Sequence, residues 1–274
     1  DPWDLISYKV KAEDALPIVD VMTLAATGSE YDCGGVISRT ETNDKIGYVD
    51  PLLYPVCSLL DPAYTETVNA KHTAAGVADA INHAMEQFFP SNSVADGFCK
   101  TLIKTLMKFG PVALDHPDDY EARAEIMLAC TFGCNGLLNL GAGMSGWPMH
   151  GIEHALSAYY DITHGEGLAI ITPRWMRHIL NDRTLERFVK FGVDIYGISA
   201  ELPPYEIAEQ AIDKTYDFFR NTMRMPMTLR EVGIDESRLK EIAAHIATNE
   251  GLDNPSIFAP LTEKDIYEIL ETSL

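Results

Sequence analysis

The 274-residue chain is 46% hydrophobic and 23% charged, and its 41 acidic against 21 basic residues give a formal charge of −20. This composition allows one large or two modest domains with a real core and excludes a disordered chain. So acidic a protein repels phosphate backbones and anionic headgroups, so neither nucleic acid nor a membrane surface is expected as partner, and a small molecule is.

The chain opens on Asp1-Pro-Trp-Asp4, with no methionine and no basic, apolar leader, as the middle of a longer polypeptide would. Between residues 16 and 60, short apolar runs at 16–22, 36–38 and 56–60 are broken by turn residues, the pattern of strands and loops. From about Thr65 the apolar period becomes helical, and helices are expected over 73–89, 94–109, 120–140, 150–160, 204–222 and 236–248. Pro90, the Asp115-His-Pro-Asp-Asp119 loop, Pro148 and Pro203-Pro204 are the expected stops. The charge-free stretch 126–149 is long enough to span a bilayer, but its glycines, two asparagines and Pro148 favour a buried core helix followed by a glycine-rich turn. Five cysteines, Cys33, Cys57, Cys99, Cys130 and Cys134, lack framework spacing and point to reduced thiols in a cytoplasmic protein. Cys130 and Cys134, one helical turn apart, read as packing residues; a zinc pair would need two further soft ligands.

Three of the eight histidines, His150, His154 and His164, fall within fifteen residues. Upstream, Asp79, His83 and Glu86 would share one face of a helix, among Ala78, Ala80, Ile81 and Ala84. A carboxylate and an imidazole one turn apart can grip a divalent ion, while a solvated acidic face is the plainer alternative. His150 and His154 repeat the four-residue spacing. His164 would lie roughly 21 Å from His150 along a straight helix, so the chain must fold back after Tyr160, within 161–165. Asp79, His83, His150 and His164 brought together would form an N3O set suited to zinc or ferrous iron.

Two formal motifs compete. Gly141-Ala-Gly-Met-Ser-Gly146 matches the dinucleotide fingerprint, with Asp161 near the ribose-ligand distance, but no strand precedes it. His150-Gly-Ile-Glu-His154 matches the inverted zinc-peptidase motif, in which His150 and His154 bind zinc, Glu153 activates water, and Glu209 or Glu241 would have to supply a further ligand.

Four segments nevertheless run in a single familiar order: Thr23-Leu-Ala-Ala-Thr-Gly-Ser-Glu30, Gly76-Val-Ala-Asp-Ala-Ile-Asn-His-Ala-Met-Glu-Gln87, the histidine stretch from His150 to Gly165, and Leu261-Thr-Glu-Lys-Asp-Ile-Tyr267. Over essentially its whole length the chain resembles the iron-type alcohol dehydrogenase family, and especially its butanol dehydrogenase and aldehyde reductase branch. The resemblance implies a mainly α protein. A dehydroquinate synthase-like helical metal-binding domain is expected over 66–274, and a small β-containing remnant of the Rossmann-like nucleotide domain over 1–65. It also implies that Asp79, His83, His150 and His164 hold Fe2+ or Zn2+, that His154 stands beside the nicotinamide as a candidate proton relay, and that Thr23, Leu24, Ser29, Lys45 and Thr65 line the nucleotide cleft. The implied reaction is hydride transfer between a primary alcohol or aldehyde and NAD(P)H.

Two departures accompany the resemblance. Asn69 stands where many members have proline, and the family's glycine-rich phosphate loop is missing, Gly34-Gly35 being the only adjacent glycines. The chain is therefore expected to be the C-terminal two-thirds of such an enzyme, cut or naturally shortened, whose helical body folds but shows no measurable alcohol oxidation or aldehyde reduction. A non-catalytic, metal-stabilised helical module stays beside the dehydrogenase and the peptidase as a third reading. The alcohol, the choice between NADH and NADPH, the metal and the oligomeric state, a homodimer included, are open at this level.

Overall fold

In the computed structural model, which describes residues 1–274 apart from the side chain of Ser93, a short helix α1 (Pro2–Ile6) leads into four strands. Strand β1 (Val19–Val21) pairs in parallel with β4 (Cys57–Leu59). Between them β2 (Gly34–Arg39) and β3 (Asp44–Val49) form an antiparallel hairpin in which Ser38 faces Lys45. The expected strand runs are found, whereas β3 lies outside them: Asp44 and Lys45 interrupt its apolar pattern, and pairing with β2 holds it. Parallel pairs are ordinarily covered on both faces. Here Val19, Val21 and Leu59 are 60%, 50% and 52% exposed.

The helical body runs through α2 (Ala70–Phe88), α3 (Ser93–Asp115), α4 (Tyr120–Thr131), α5 (Pro148–Tyr160), α6 (His164–Ile179), α7 (Leu185–Tyr196), α8 (Pro204–Asp217), α9 (Leu239–Asn249) and α10 (Glu263–Thr272). Helix accounts for 58% of residues and strand for 7%, the mainly α architecture expected. Helix α2 is central. Asn69 caps it by accepting a hydrogen bond from His72 N at 2.9 Å, and every side chain from Thr73 to Phe88 is buried. A helix wrapped on all sides must satisfy its polar residues internally. Asn82 accordingly donates to Ala78 O at 2.8 Å, and Gln87 to Gly133 O at 2.7 Å.

The helix expected over 120–140 stops at Thr131, where Phe132 leaves the helix at φ −94° and ψ 0°, and the chain continues as a loop with Gly136 at the left-handed φ of 87° and one 3-10 turn at Leu137–Asn139. That break also removes the bilayer-length reading of 126–149, and among the described residues no helix is long and apolar enough to cross a membrane. Besides the short α1, three helices of the body fall outside the expected set. Gly165, Gly167 and Pro173 dilute the signal of α6, and Gly192 with the β-branched Val189, Val193 and Ile195 lowers the propensity of α7. Packing overrides both: a Cβ on Gly167 would meet Glu153 Cγ at 2.7 Å, and one on Gly192 would meet Ile207 Cγ2 at 2.8 Å. α10 is started by a capping box of Thr262 and Asp265.

The turn required after Tyr160 is present. Asp161, at φ 52°, caps α5 and reverses the chain so that α6 begins at His164. Gly165 then lies against α2 so closely that a Cβ would overlap the Ala75 carbonyl. Gly165→Ala is therefore expected to destabilise the protein by about 1–3 kcal/mol through overpacking against rigid backbone. A urea-unfolding midpoint equal to that of the unaltered chain would show that the turn yields.

Candidate metal centre

Three helices deliver the clustered side chains. α2 presents Asp79, His83 and Glu86 along one face, α5 presents His150, Glu153, His154 and Ser157 at helical spacing, and the first residue of α6 is His164. Their convergence is on one atom: the Nε2 atoms of His83, His150 and His164 stand 3.3, 3.4 and 3.6 Å from Asp79 Oδ1. Asp79 Oδ1 and His150 Nε2 are buried and have no hydrogen-bond partner. Orphaned atoms of this kind are costly unless something else satisfies them. Four ligands at 2.0–2.2 Å around a tetrahedral ion lie about 3.4 Å apart, which the three distances from Asp79 Oδ1 match. Asp79, His83 and His150 lie within 4.8 Å of one another as a metal-competent group, and His164, grouped with Glu153 and His154, adjoins it through Asp79.

Two carboxylates hold the imidazoles from behind. Glu86 Oε2 bonds His150 Nδ1, while its Oε1 accepts from Met149 N at 2.6 Å and His150 N at 3.2 Å, the free amides at the start of α5. Glu153, fully buried, bonds His164 Nδ1 through Oε2 and accepts from the Ser157 hydroxyl through Oε1. Lys45 Nζ lies 3.6 Å from the same Oε2. A carboxylate on Nδ1 aims the Nε2 lone pair outward, as metal-ligating histidines require. Trp147 closes one side. It sits at φ 48°, unusual for a bulky residue, with its indole edge-on to His83 and His150 at centroid distances of 6.0 and 5.4 Å.

Burial alone would raise the Asp79 carboxyl, but the adjacent His83, His150 and His164 outweigh it and hold it well below the usual range. Burial likewise lowers His150, yet Glu86 and Asp79 prevail and carry it up to about 10. His83 is pushed down to about 4, by burial first. His154 stands apart from the contacts on Asp79; its ring lies 5.4 Å from that of His164, and burial with its cationic neighbours keeps it well below its ordinary value, hence neutral.

A cleft of about 440 Å³ opens from Asp79 and His164 and is walled by Leu24, Ala26 and Thr27 on one side and by residues 161–163 on another. Of the residues expected to line a nucleotide cleft, Leu24 lies on this wall and Thr23 and Ser29 are exposed in the same segment. Thr65 is buried, its hydroxyl donating to Pro62 O at 2.8 Å, and Lys45 is paired with Glu153.

The competing motifs are not assembled. The 141–146 glycine segment does lead into α5, but the helix's first amides are already taken by Glu86, leaving no phosphate seat, and a 3-10 turn precedes it in place of a strand. Glu153 is engaged with His164 and Ser157, and Glu209 and Glu241 lie in exposed ion pairs with Arg177 and Arg238, so the peptidase arrangement is not formed. Cys130 and Cys134 are free thiols outside any metal-competent cluster among the described residues. Sequence reasoning missed the roles of Glu86, Glu153 and Trp147. Glu86 carried a signal, its place on the Asp79 face; Trp147 carried none.

The family profile for the Fe-containing alcohol dehydrogenase family, C-terminal, matches residues 73–274, and that for iron-containing alcohol dehydrogenase matches residues 1–62. The whole chain is 44% identical to NADH-dependent butanol dehydrogenase A and 47% identical to NADH-dependent butanol dehydrogenase B of Clostridium acetobutylicum, covering 70% of each. The crystal structure of NADH-dependent butanol dehydrogenase A from Thermotoga maritima, 32% identical, superposes with a TM-score of 0.92 over 99% of this chain and 69% of that one. The NADPH-dependent aldehyde reductase YqhD of Escherichia coli is 33% identical over 98% of this chain and 70% of its own length. The chain belongs to the iron-containing alcohol dehydrogenase family.

His164→Ala and His83→Ala are each expected to abolish tight Zn2+ binding and the thermal stabilisation it brings, whereas Asp79→Asn, which keeps a coordinating oxygen, is milder. Metal content in purified His164→Ala equal to that of the unaltered chain rejects the site.

A pH effect follows from His150. Its folded-state value of about 10 lies above the unfolded 6.5, so its contribution to the metal-free fold is fully present below pH 6.5 and lost as pH rises through about 10. Binding a metal must displace that proton. Zn2+ uptake at neutral pH should release about one proton per ion, measured by calorimetry in buffers of different ionisation enthalpy. No buffer dependence would contradict it.

Proposed function

We propose that the centre carries hydride transfer between a primary alcohol or its aldehyde and a nicotinamide, with one Fe2+ or Zn2+ held by Asp79, His83, His150 and His164. The observation that carries the reading is the approach of three imidazole Nε2 atoms to Asp79 Oδ1 at the floor of an open cleft. An ion held there by Asp79, His83, His150 and His164 would supply a Lewis acid to polarise the substrate oxygen.

The remaining work belongs to the chain. Glu86 and Glu153 keep His150 and His164 aimed, and Trp147 covers the edges of His83 and His150. His154, neutral and next to His164, is the group that exchanges a proton with the substrate oxygen through a ring nitrogen. Thr23, Leu24 and Ser29 would line the nicotinamide end of the cofactor, with Thr65 on the same head, while Lys45 would meet the cofactor from its place beside Glu153. On this reading residues 1–65 belong to the nucleotide-binding unit and 66–274 to the metal-binding unit. The names of the Clostridium acetobutylicum relatives favour butanol and butanal with NADH as the reacting pair. The free thiols accord with a reducing, cytoplasmic setting.

The test is spectroscopic. With Co2+ in the centre, butan-1-ol is expected to shift the visible absorption bands of the protein, and His164→Ala to lose both the bands and the response. A Co2+ spectrum indifferent to alcohol and aldehyde at saturating concentration would overturn the reading.

A further inference from the structure

The two carboxylates behind the imidazoles are unequally supported. Glu86 receives two backbone amides at the start of α5, where the helix end itself favours an anion. Glu153 lies within α5, where backbone amides are committed to the helix, and it is fully buried. Its neighbours are the Ser157 hydroxyl, the His164 imidazole and, at 3.6 Å, Lys45 Nζ. Among the described residues Lys45 is the one lysine or arginine paired with it. A buried carboxylate without a compensating cation is costly and leaves its position.

Lys45 does not come from the helical body. It stands on β3, in the hairpin that packs on α5, and its side chain is only 17% exposed. Lysine and His164 Nδ1 share one oxygen, Glu153 Oε2, so the lysine fixes the oxygen that orients this imidazole. His164 depends on it more than the other ligands do: its side chain is 27% exposed, against 7% for His83 and 8% for His150.

We propose that Lys45 is a positioning residue of the metal centre: held by the hairpin, it fixes Glu153, Glu153 orients His164, and the strand-bearing head thereby sets part of the metal affinity of the helical body. The inference rests on the four-ligand reading above and concerns a lysine that the family resemblance places along the nucleotide.

The experiment measures Zn2+ affinity of the 274-residue chain by competition with a chromogenic chelator. Lys45→Met is expected to weaken binding about tenfold, the lower end of what partners behind a ligand contribute, and Lys45→Arg to restore it. Lys45→Gln, which keeps a polar tip, gives the same loss and serves if the methionine variant does not fold. In a Glu153→Gln background, Lys45→Met is expected to add nothing, because the lysine acts through that carboxylate. Unchanged affinity in Lys45→Met, or a loss that persists undiminished in the Glu153→Gln background, overturns the proposal. His164→Ala separates the two levels. If it retains full Zn2+ binding, the four-ligand reading has failed; if it loses binding while Lys45→Met does not, the failure is that of the lysine alone.

Discussion

Asp79 sits on a helix buried on every side, where an isolated carboxylate would be strongly disfavoured. It is held ionised by imidazoles from three separate helices, and much of the body can be read as what is needed to bring them there. The α5–α6 reversal at Asp161 exists so that His164 meets His150, and Gly165 has no side chain because α6 must begin against α2. Glu86 and Glu153 form the next layer outward. Each imidazole nitrogen turned away from Asp79 on His150 and His164 meets a carboxylate, so charge alternates from the centre outward and burial is tolerated at each step.

Much of this was legible in the residues. The i, i+4 spacing of Asp79 with His83 and of His150 with His154 marks helix faces, and the distance from His150 to His164 demands a turn, which is present. What escaped was decided by tertiary packing. α6 and α7 carry glycines and β-branched residues that argue against helix locally and are required by close contacts with Glu153 and Ile207. The glycine pattern at 141–146 imitates a phosphate loop and is disqualified only by Glu86, which lies far away in sequence and occupies the amides a phosphate would need. Glu153 was legible as a functional residue but not as to its role, since spacing alone cannot distinguish a carboxylate that activates water from one that steers a histidine.

The head poses a different problem. Two-stranded sheets are marginal by themselves, and here the β2–β3 hairpin leans on α5 while the 3-10 turn Pro62–Thr65 leans on α4. The segment around Gly28 is pinned as well, since a Cβ there would meet Cys130 O at 2.6 Å. These attachments bring the cleft wall, and with it Leu24 and Thr27, to the edge of the histidine cluster. The head and the helical body are thus joined by side chains and backbone contacts more than by any shared sheet.

Side chains drawn from three helices also fix an order of events. The nitrogens of His83, His150 and His164 converge only after α2, α5 and α6 have docked, so a site made of them forms with the fold and not before it. The cleft between Leu24–Thr27 and the turn at 161–163 opens onto that convergence, and Trp147 covers the edges of His83 and His150 on the other flank. On the four-ligand reading proposed above, an ion would reach the histidines through that cleft after folding, and its loading would depend on passage between those two loops.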